Sequence, residues 1–169
     1  MAKNTPWNLE RLEASHDAAI FSCGVITYDN FIIKHALTNQ AQGLCEVYVA
    51  VAPTTKQVLG YFTLSNSSVE TAHLDGKLKR GLPKYSRYPT ILIGMLARDS
   101  STEGTGLGDF LLVSALHLSK KRQTSGVFGV ELLAENDRLV AWYEHFGFVA
   151  IQKRDDGKSM MFIHKGAIP

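Results

Sequence analysis

The stretch Glu103-Gly104-Thr105-Gly106-Leu107-Gly108 places three alternating glycines in one short turn. It follows an apolar run, Ile91 to Ala97, and it opens an amphipathic segment, Leu107 to Arg122. Backbone N–H groups at the start of a helix point toward the preceding loop and favour an anion such as a phosphate. The stretch therefore predicts a strand, an anion-binding turn and a helix, in that order.

The glycine spacing alone leaves several kinds of site open. A nucleotide P-loop is disfavoured because Gly-Lys-Ser/Thr is missing. A dinucleotide site is disfavoured because the turn lies well beyond the first strand and lacks the G-x-G-x-x-G spacing. A tight turn between strand and helix that binds no ligand explains the same glycines. A second signal is needed to choose among these alternatives.

Composition indicates one ordinary globular domain spanning residues 1–169, with 45% hydrophobic and 20% charged residues. The formal net charge of +2 is too small to indicate nucleic-acid binding by itself. Cys23 and Cys45 lack C-x-x-C spacing, which favours free thiols in a reducing cytoplasm over a disulfide. The start, Met1–Pro6, has no apolar signal-peptide core, and no apolar run spans a bilayer. We expect a soluble cytoplasmic protein without membrane contacts.

Hydrophobic periodicity predicts a mixed α/β sheet in the order helix, hairpin, strand, helix, strand, helix, hairpin. Residues 1–26 are poorly periodic. The first helix is predicted at Asp29–Asn39, with Phe31, Ile32, His35 and Ala36 on its apolar face. Strands are predicted at Glu46–Ala52, Val58–Leu64, Thr90–Ala97, Val127–Leu133, Phe148–Gln152 and Met160–His164, and the later helices at Leu107–Arg122 and from Asn136 to Gly147. The continuously apolar strand at Thr90–Ala97 is expected to be buried on both faces.

The second signal is Trp142-Tyr143-Glu144-His145-Phe146-Gly147-Phe148, with Asn136 about two helical turns earlier on the same face. Together with the glycine turn, these residues resemble the GNAT superfamily of N-acetyltransferases. That family has a Gln/Arg-x-x-Gly-x-Gly/Ala loop, then an Asn, an aromatic-Tyr pair and Gly-Phe. The resemblance implies the GNAT fold, a mostly antiparallel twisted sheet flanked by helices, with acetyl-CoA as co-substrate. A core tyrosine with a hydrogen-bonded hydroxyl is the alternative for Tyr143.

The resemblance also implies which residues bind the co-substrate. They are Leu96, Ala97, Arg98, Glu103, Gly104, Thr105, Gly106, Leu107, Gly108 and Asn136. The strand end would pair its backbone with the pantetheine arm, and the turn would bind the diphosphate. Many members carry Gly-Arg-Leu-Ala around Met95, and a Gln and a basic residue at the positions of Glu103 and Thr105. We therefore expect weaker binding of CoA, but not its loss.

Tyr143 is the expected catalytic residue, acting as a general acid on the leaving thiolate. The nucleophile would be an amine, and an α-amino group titrates at about 7.7–8.0. A fair fraction is therefore neutral at cytoplasmic pH, so no strong general base is required. No metal is expected, because the histidines show no ligand spacing.

The N-terminal region narrows the resemblance. Phe21-Ser22-Cys23-Gly24, followed by Tyr28-Asp29, Phe31-Ile32 and Ala36, is similar to the acetyltransferase toxins of bacterial type II toxin–antitoxin pairs. This similarity implies that the acceptor is the α-amine of aminoacyl-tRNA and that its acetylation blocks translation. It also implies a cognate DNA-binding antitoxin, of the ribbon-helix-helix type, and a homodimer.

Residues 73–89 form a basic stretch, predicted as a loop with at most a short helix. Its cations are Lys77, Lys79, Arg80, Lys84 and Arg87. Such a patch suits tRNA phosphates, with Lys34 and Lys120–Arg122 as extensions, although a merely solvated loop has the same composition. Two other functions stay open: a housekeeping acetyltransferase of a small amine or a protein N-terminus, and a non-catalytic acyl-CoA-binding module.

Overall fold

The computed structural model describes residues 6–121 and 124–169. Its strands are β1 Asn8–Arg11, β2 Glu46–Val51, β3 Val58–Glu70, β4 Arg87–Arg98, β5 Gly129–Ala134, β6 Val149–Lys153 and β7 Ser159–His164. Its helices are α1 Ile26–Asn30, α2 Ala36–Ala41, α3 Gly76–Lys79, α4 Leu107–Lys120 and α5 Asp137–His145, with a π-helical segment, Phe31–His35, between α1 and α2. The predicted end of α4 at Arg122 lies outside the described residues.

The strands form a seven-stranded sheet in the order β1-β2-β3-β4-β5-β7-β6. The pairs β1–β2, β2–β3, β5–β7 and β6–β7 are antiparallel, whereas β4 and β5 are parallel. This arrangement confirms the predicted mixed α/β fold and both predicted hairpins. The chain divides into two compact units, Met1–Ser65 with Met95–Ala115 and Asn66–Gly94 with Leu116–Pro169.

Tyr61 lies at the centre of the core of the first unit and is fully buried. Its ring contacts Phe21 and Phe31, with centroid distances of 5.6 and 5.9 Å. Its hydroxyl donates a hydrogen bond to the carbonyl of Tyr28 at 2.8 Å. Burial raises the pKa of this hydroxyl far above its ordinary value, so it stays a donor. The aromatic contacts therefore join the first helical residues to β3.

The first helix begins earlier than predicted and changes its winding midway. A π-helical segment covers Phe31–His35, where the wider turn shifts the side chains that follow. Phe31, Ile32 and Ala36 are buried as predicted, but His35 is exposed. The prediction of His35 on the apolar face was wrong, because it assumed an unbroken period of 3.6 residues.

Strand β1 was not predicted, since residues 1–26 show no periodicity. It has only four residues and pairs with β2 from Asn8 opposite Val51 to Arg11 opposite Tyr48. Such a short edge strand owes its conformation to the neighbouring strand rather than to its own hydrophobic pattern.

The burial of β4 differs between its two halves. Ile91 and Ile93 are buried, and the parallel register with β5 covers Thr90 to Ile93. Farther along, Gly94 is exposed, and residues 95 and 96 are half-buried. The expectation of burial on both faces therefore holds only for the first half of the strand. Its second half is more accessible, except at Ala97, which is buried.

In the second unit, α5 begins at an Asn136 cap and is followed by Gly147, which has a left-handed φ of 94°. Both features agree with the helix predicted from Asn136 to Gly147. The chain then returns through the β6–β7 hairpin, which turns at Gly157. Among the described residues, none of the helices combines the length and apolar character that crossing a bilayer requires. Cys23 and Cys45 are both free thiols.

Gly129 at the start of β5 provides a test of the packing in the second unit. A methyl group there would collide with the carbonyl oxygen of Ile163 and with the ring of Phe162. Because the oxygen belongs to a paired strand, we expect Gly129→Ala to lower the free energy of unfolding by about 1–3 kcal/mol. Urea denaturation measures this change.

Gly126→Ala is the matched control, since its nearest neighbour would be the Pro89 ring at 3.9 Å. We expect it to change stability by less than about 0.5 kcal/mol. Equal stability of the two variants would contradict the described packing around Gly129.

Candidate active site

The glycine turn is held in place by the carboxylate of Asp99, at the end of β4. One oxygen accepts hydrogen bonds from the N–H and hydroxyl of Ser101, at 2.9 and 2.6 Å. The other accepts from the N–H of Ser22 at 2.9 Å, far away in sequence. The N–H of Asp99 itself donates to the carbonyl of Leu59 in β3 at 2.7 Å. These contacts fix the loop that precedes α4 from both sides.

The turn itself depends on two glycines with left-handed backbone. Gly104 and Gly106 have φ values of 74° and 85°, a region that other residues rarely adopt. A Cβ atom at either position would meet no atom within 4 Å, so the space beside both glycines is open. Gly108 already belongs to α4. Because the first N–H groups of a helix have no intrahelical acceptor, those of Leu107 and Gly108 are available to a ligand.

The start of α4 packs closely on β3 at Gly60. A Cβ atom at Gly60 would lie 2.8 Å from Cδ1 of Leu111 and 3.2 Å from the carbonyl oxygen of Ala97. The absence of a side chain at Gly60 therefore allows the helix to approach the strand. Sequence reasoning missed both Gly60 and Asp99, because their partners are distant in the chain.

Glu103, the acidic residue of the glycine turn, is paired with a basic side chain. Glu103 forms an ion pair with Arg98, with 3.6 Å between their side-chain oxygen and nitrogen. The pairing offsets the repulsion that Glu103 would exert on a diphosphate. An exposed pair of this kind contributes about 0–1 kcal/mol, so an anionic ligand can compete for Arg98.

The predicted strand residues Leu96, Ala97 and Arg98 lie beyond the parallel register of β4 with β5. Just before them, the N–H of Met95 donates to the hydroxyl of Thr63 at 3.0 Å. Leu96 and Arg98 are half-buried. These two residues have the exposure that a ligand lying along the strand requires, whereas Ala97 is buried.

Tyr143 and Asn136 lie on α5 in the second unit. The Tyr143 side chain is buried, and its ring contacts Phe148 at a centroid distance of 5.7 Å. Asn136 is exposed, and its side-chain oxygen accepts a hydrogen bond from the N–H of Leu139 at 3.0 Å. Asn136 therefore has a structural role as the helix cap, and its role toward a ligand stays a prediction.

The basic stretch contains two kinds of cation. Lys77, Arg80 and Lys84 are exposed around α3. Lys79 donates to the carbonyl of Thr71 at 2.9 Å. Arg87 already belongs to β4 and is held by internal partners. The three exposed cations are the ones best placed to meet phosphates.

No protein-family model matches the chain. The chain is 32% identical over 139 residues to a tRNA-acetylating toxin of Mycobacterium tuberculosis, an alignment that covers 82% of this chain and 81% of the relative. It is 30% identical over 141 residues to a probable toxin TacT of Sinorhizobium fredii, covering 79% and 78% of the two chains. Identity at this level over most of both chains shows common descent. The chain belongs to the acetyltransferase toxin family.

Solved structures give the same answer for the fold. AtaT complexed with acetyl-methionyl-tRNAfMet superimposes with a TM-score of 0.86 at 26% identity, covering 96% of each chain. A tyrosine-to-phenylalanine mutant of AtaT, bound to acetyl-CoA and the C-terminus of its antitoxin AtaR, has a TM-score of 0.79 at 23% identity, again covering 96% of each chain. The likeness confirms the GNAT-type fold, and the family is one of acyl-CoA N-acyltransferases.

The N-terminal pattern that resembles the acetyltransferase toxins has a structural explanation in this chain. The N–H of Cys23 donates to the Asp29 carboxylate at 2.8 Å, and Gly24 has a left-handed φ of 88°. The turn therefore joins the segment before α1 to the first helical residues. Burial and the neighbouring Asp29 raise the pKa of the Cys23 thiol to about 11, which makes it a poor nucleophile at neutral pH.

Asp99 provides a test of how the toxin fold holds its glycine turn. Burial works against the charged form, but hydrogen bonds from Ser101 and Ser22 lower the pKa of Asp99 below its ordinary value. We expect Asp99→Ala to reduce the free energy of unfolding at pH 7 by about 1–3 kcal/mol, because it leaves backbone donors without partners. Denaturation in urea at several pH values measures the effect.

A carboxyl group whose pKa is lower in the folded state than in the unfolded state stabilises the fold fully only above its unfolded pKa, about 3.9 for Asp. This stabilisation is lost as the pH falls through the pKa of the folded state. The difference between wild type and Asp99→Ala should therefore shrink below about pH 4. Asp137→Ala is the control, since its exposed ion pair with Lys153 should contribute less than about 1 kcal/mol. A difference that grows on acidification would contradict the assignment.

Proposed function

We propose that this chain transfers an acetyl group from acetyl-CoA to the α-amine of an aminoacyl-tRNA and thereby blocks translation. The observation that carries the proposal is the open glycine turn at the start of α4, in a chain related to a tRNA-acetylating toxin. The related AtaT has been solved with acetyl-methionyl-tRNAfMet and with acetyl-CoA. Those complexes support the same acceptor and the same acyl donor for this chain.

The donor would be held mainly by backbone. The N–H groups of Gly106, Leu107 and Gly108 would bind the diphosphate at the positive end of α4. Residues 96–98 of β4 would lie along the pantetheine arm, and a backbone N–H there would polarise the thioester carbonyl. Arg98 would bind the anionic groups of CoA only in competition with Glu103, so CoA affinity should be modest.

The chemistry needs one proton donor. The neutral amine attacks the thioester carbonyl, so that a C–N bond forms as the C–S bond breaks. The departing sulfur takes a proton from the hydroxyl of Tyr143, which we assign as general acid. The amine nitrogen loses one proton as the amide forms, and a proton taken up through solvent restores the Tyr143 hydroxyl. An α-amine with a pKa of about 7.7–8.0 is neutral often enough to react without a strong base in the protein.

The domain organisation, location and partners that we propose are those expected for the acetyltransferase toxin family. We propose a single acetyltransferase domain over residues 1–169, acting in the cytoplasm as a homodimer. A cognate antitoxin of the ribbon-helix-helix type would neutralise it. In support, AtaT has been solved with its antitoxin AtaR.

Replacing Tyr143 by phenylalanine tests the catalytic assignment. We expect Tyr143→Phe to lower kcat by about 10²–10⁴-fold, because the thiolate loses its proton donor, with little change in CoA binding. The assay uses labelled acetyl-CoA, a pool of aminoacyl-tRNAs and identification of the acetylated product. Expression of wild type should arrest growth, and the variant should relieve the arrest.

Tyr48→Phe is the matched control, since this half-buried tyrosine stacks on Phe62 in the first unit. Its activity should equal that of wild type. An unchanged rate for Tyr143→Phe would remove that residue from catalysis. Acetylation of small amines or protein N-termini alone would point to a housekeeping enzyme, and CoA binding without turnover to a regulatory module.

The exposed cations around α3 provide a test of the tRNA surface. Replacing Lys77, Arg80 and Lys84 together by alanine should weaken tRNA binding and reduce the slope of log affinity against log salt by about 2–3. Replacing Lys56, Lys153 and Lys158, each of which is paired with a carboxylate, is the control with the same change in charge. Equal salt slopes for the two triple variants would show that phosphates do not contact the α3 region.

A further inference from the structure

A cleft of about 340 Å³ lies within the second unit, and none of its lining residues is among those assigned above to catalysis and CoA binding. Its walls come from the last residues of β3, the first residue of β4 and the β6–β7 hairpin, and Glu131 of β5 also lines it. We refer to it as the Glu131 cleft, defined by Ser67, Val69, Arg87, Glu131, Ile151 and Met160. Its volume is in the range of small-molecule sites.

The carboxyl group of Glu131 is unusual because it is buried without an opposite charge. The residue is 5% exposed, and one oxygen accepts a hydrogen bond from the Ser67 hydroxyl at 2.6 Å. Glu131 forms no ion pair with any described residue. Burial raises its pKa, which the Ser67 and Thr90 hydroxyls and the more distant Arg87 charge only partly offset. A buried carboxylate of this kind costs free energy unless a partner supplies hydrogen bonds or charge.

A second polar group near Glu131 also lacks a partner. The Thr90 hydroxyl is buried, and it lies near enough to influence the Glu131 carboxyl but does not reach it with hydrogen-bond geometry. Among the described side chains, its oxygen is the buried polar atom left unsatisfied. Thr90 does not line the cleft, so the capacity for a ligand lies with Glu131 itself. A carboxylate has about four acceptor positions, and the Ser67 hydroxyl occupies one of them.

The cations around the cleft are engaged elsewhere. Arg87 donates to the hydroxyl and carbonyl of Ser68, at 2.6 and 2.7 Å, and pairs with Glu70 at 3.1 Å. Arg154 pairs with Asp156, also at 3.1 Å. Because both guanidinium groups have their own carboxylates, the charge of Glu131 is the one without a partner. The cleft therefore favours a cationic ligand.

The apolar part of the cleft lining suits a cationic ligand that also has an alkyl chain. Val69, Ile151 and Met160 supply apolar surface beside the carboxyl group. A long side chain with an alkyl stem and a charged, hydrogen-bond-donating head satisfies both surfaces at once. Lysine and arginine side chains have this form.

We propose that the Glu131 cleft binds the cationic side chain of the aminoacyl group, so that the enzyme prefers lysyl- or arginyl-tRNA as acceptor. The preference for these acceptors rests on the proposed function, whereas the binding of a cationic side chain does not. Glu131 is here a specificity residue and takes no part in the transfer of the acetyl group.

The first experiment measures binding alone, with the full chain. Lysinamide and norleucinamide have alike alkyl chains, but only lysinamide carries the terminal ammonium group. We expect lysinamide to bind at least about tenfold tighter in isothermal titration, as one charge-assisted hydrogen bond implies. Glu131→Gln should abolish this preference, because glutamine keeps the shape and the bond to Ser67 but loses the charge.

Glu135→Gln is the matched control, since Glu135 lies just beyond the same strand and pairs with Lys158 at 2.9 Å. It should keep the full preference. Equal binding of the two amides by wild type, or a preference that survives in Glu131→Gln, would overturn the proposal. Competition by adenosine but not by lysinamide would likewise overturn it, in favour of a nucleobase site.

The second experiment separates this proposal from the proposed function. In the acetylation assay, wild type should favour lysyl- and arginyl-tRNA, and Glu131→Gln should lose the preference while still acetylating neutral aminoacyl-tRNAs. Glu131-dependent binding of lysinamide without acetylation of any tRNA would support the cation site and reject the proposed function. Acetylation of all aminoacyl-tRNAs alike by wild type would reject the specificity and keep the function.

Discussion

The carboxylate of Asp99 is the interaction on which the first unit depends. It accepts hydrogen bonds from the N–H groups of Ser101 and Ser22 at the end of β4, and the N–H group of Asp99 itself donates to a carbonyl of β3. The loop that leaves this anchor can then turn through two left-handed glycines into α4. Because a diphosphate site made of backbone donors has no adjustable side chains, its geometry must be fixed in advance by contacts of this kind.

The second unit contains the residue that we propose as general acid. Tyr143 is buried on α5, which begins at the Asn136 cap and is followed by Gly147. The same unit contains Glu131, a carboxyl group whose burial serves no evident purpose in stability, since a hydrophobic residue would pack there at lower cost. Under the two proposals, the backbone of the first unit would hold the acetyl donor, and side chains of the second unit would select the acceptor.

The sequence predicted the elements whose conformation is determined by residues close by in the chain. The periodicity of Leu107–Lys120 and the hairpin near Gly157 were clear because each depends on neighbouring residues. Strand β1 and the π-helical segment at Phe31–His35 were missed, since a distant strand or a change in winding decides them. In the candidate site the glycine turn, Asn136 and Tyr143 were recognised from motifs. Asp99, Gly60 and Glu131 were not, because their significance lies in contacts with residues far away in the chain.

The most direct test of this account follows the backbone amides of the glycine turn by nuclear magnetic resonance while coenzyme A is added. We expect the N–H signals of Gly106, Leu107 and Gly108 to shift strongly with coenzyme A and not with pantetheine, which lacks the diphosphate. Signals that stay unmoved at saturating coenzyme A, or that shift equally with pantetheine, would contradict the assignment of the turn as the diphosphate site.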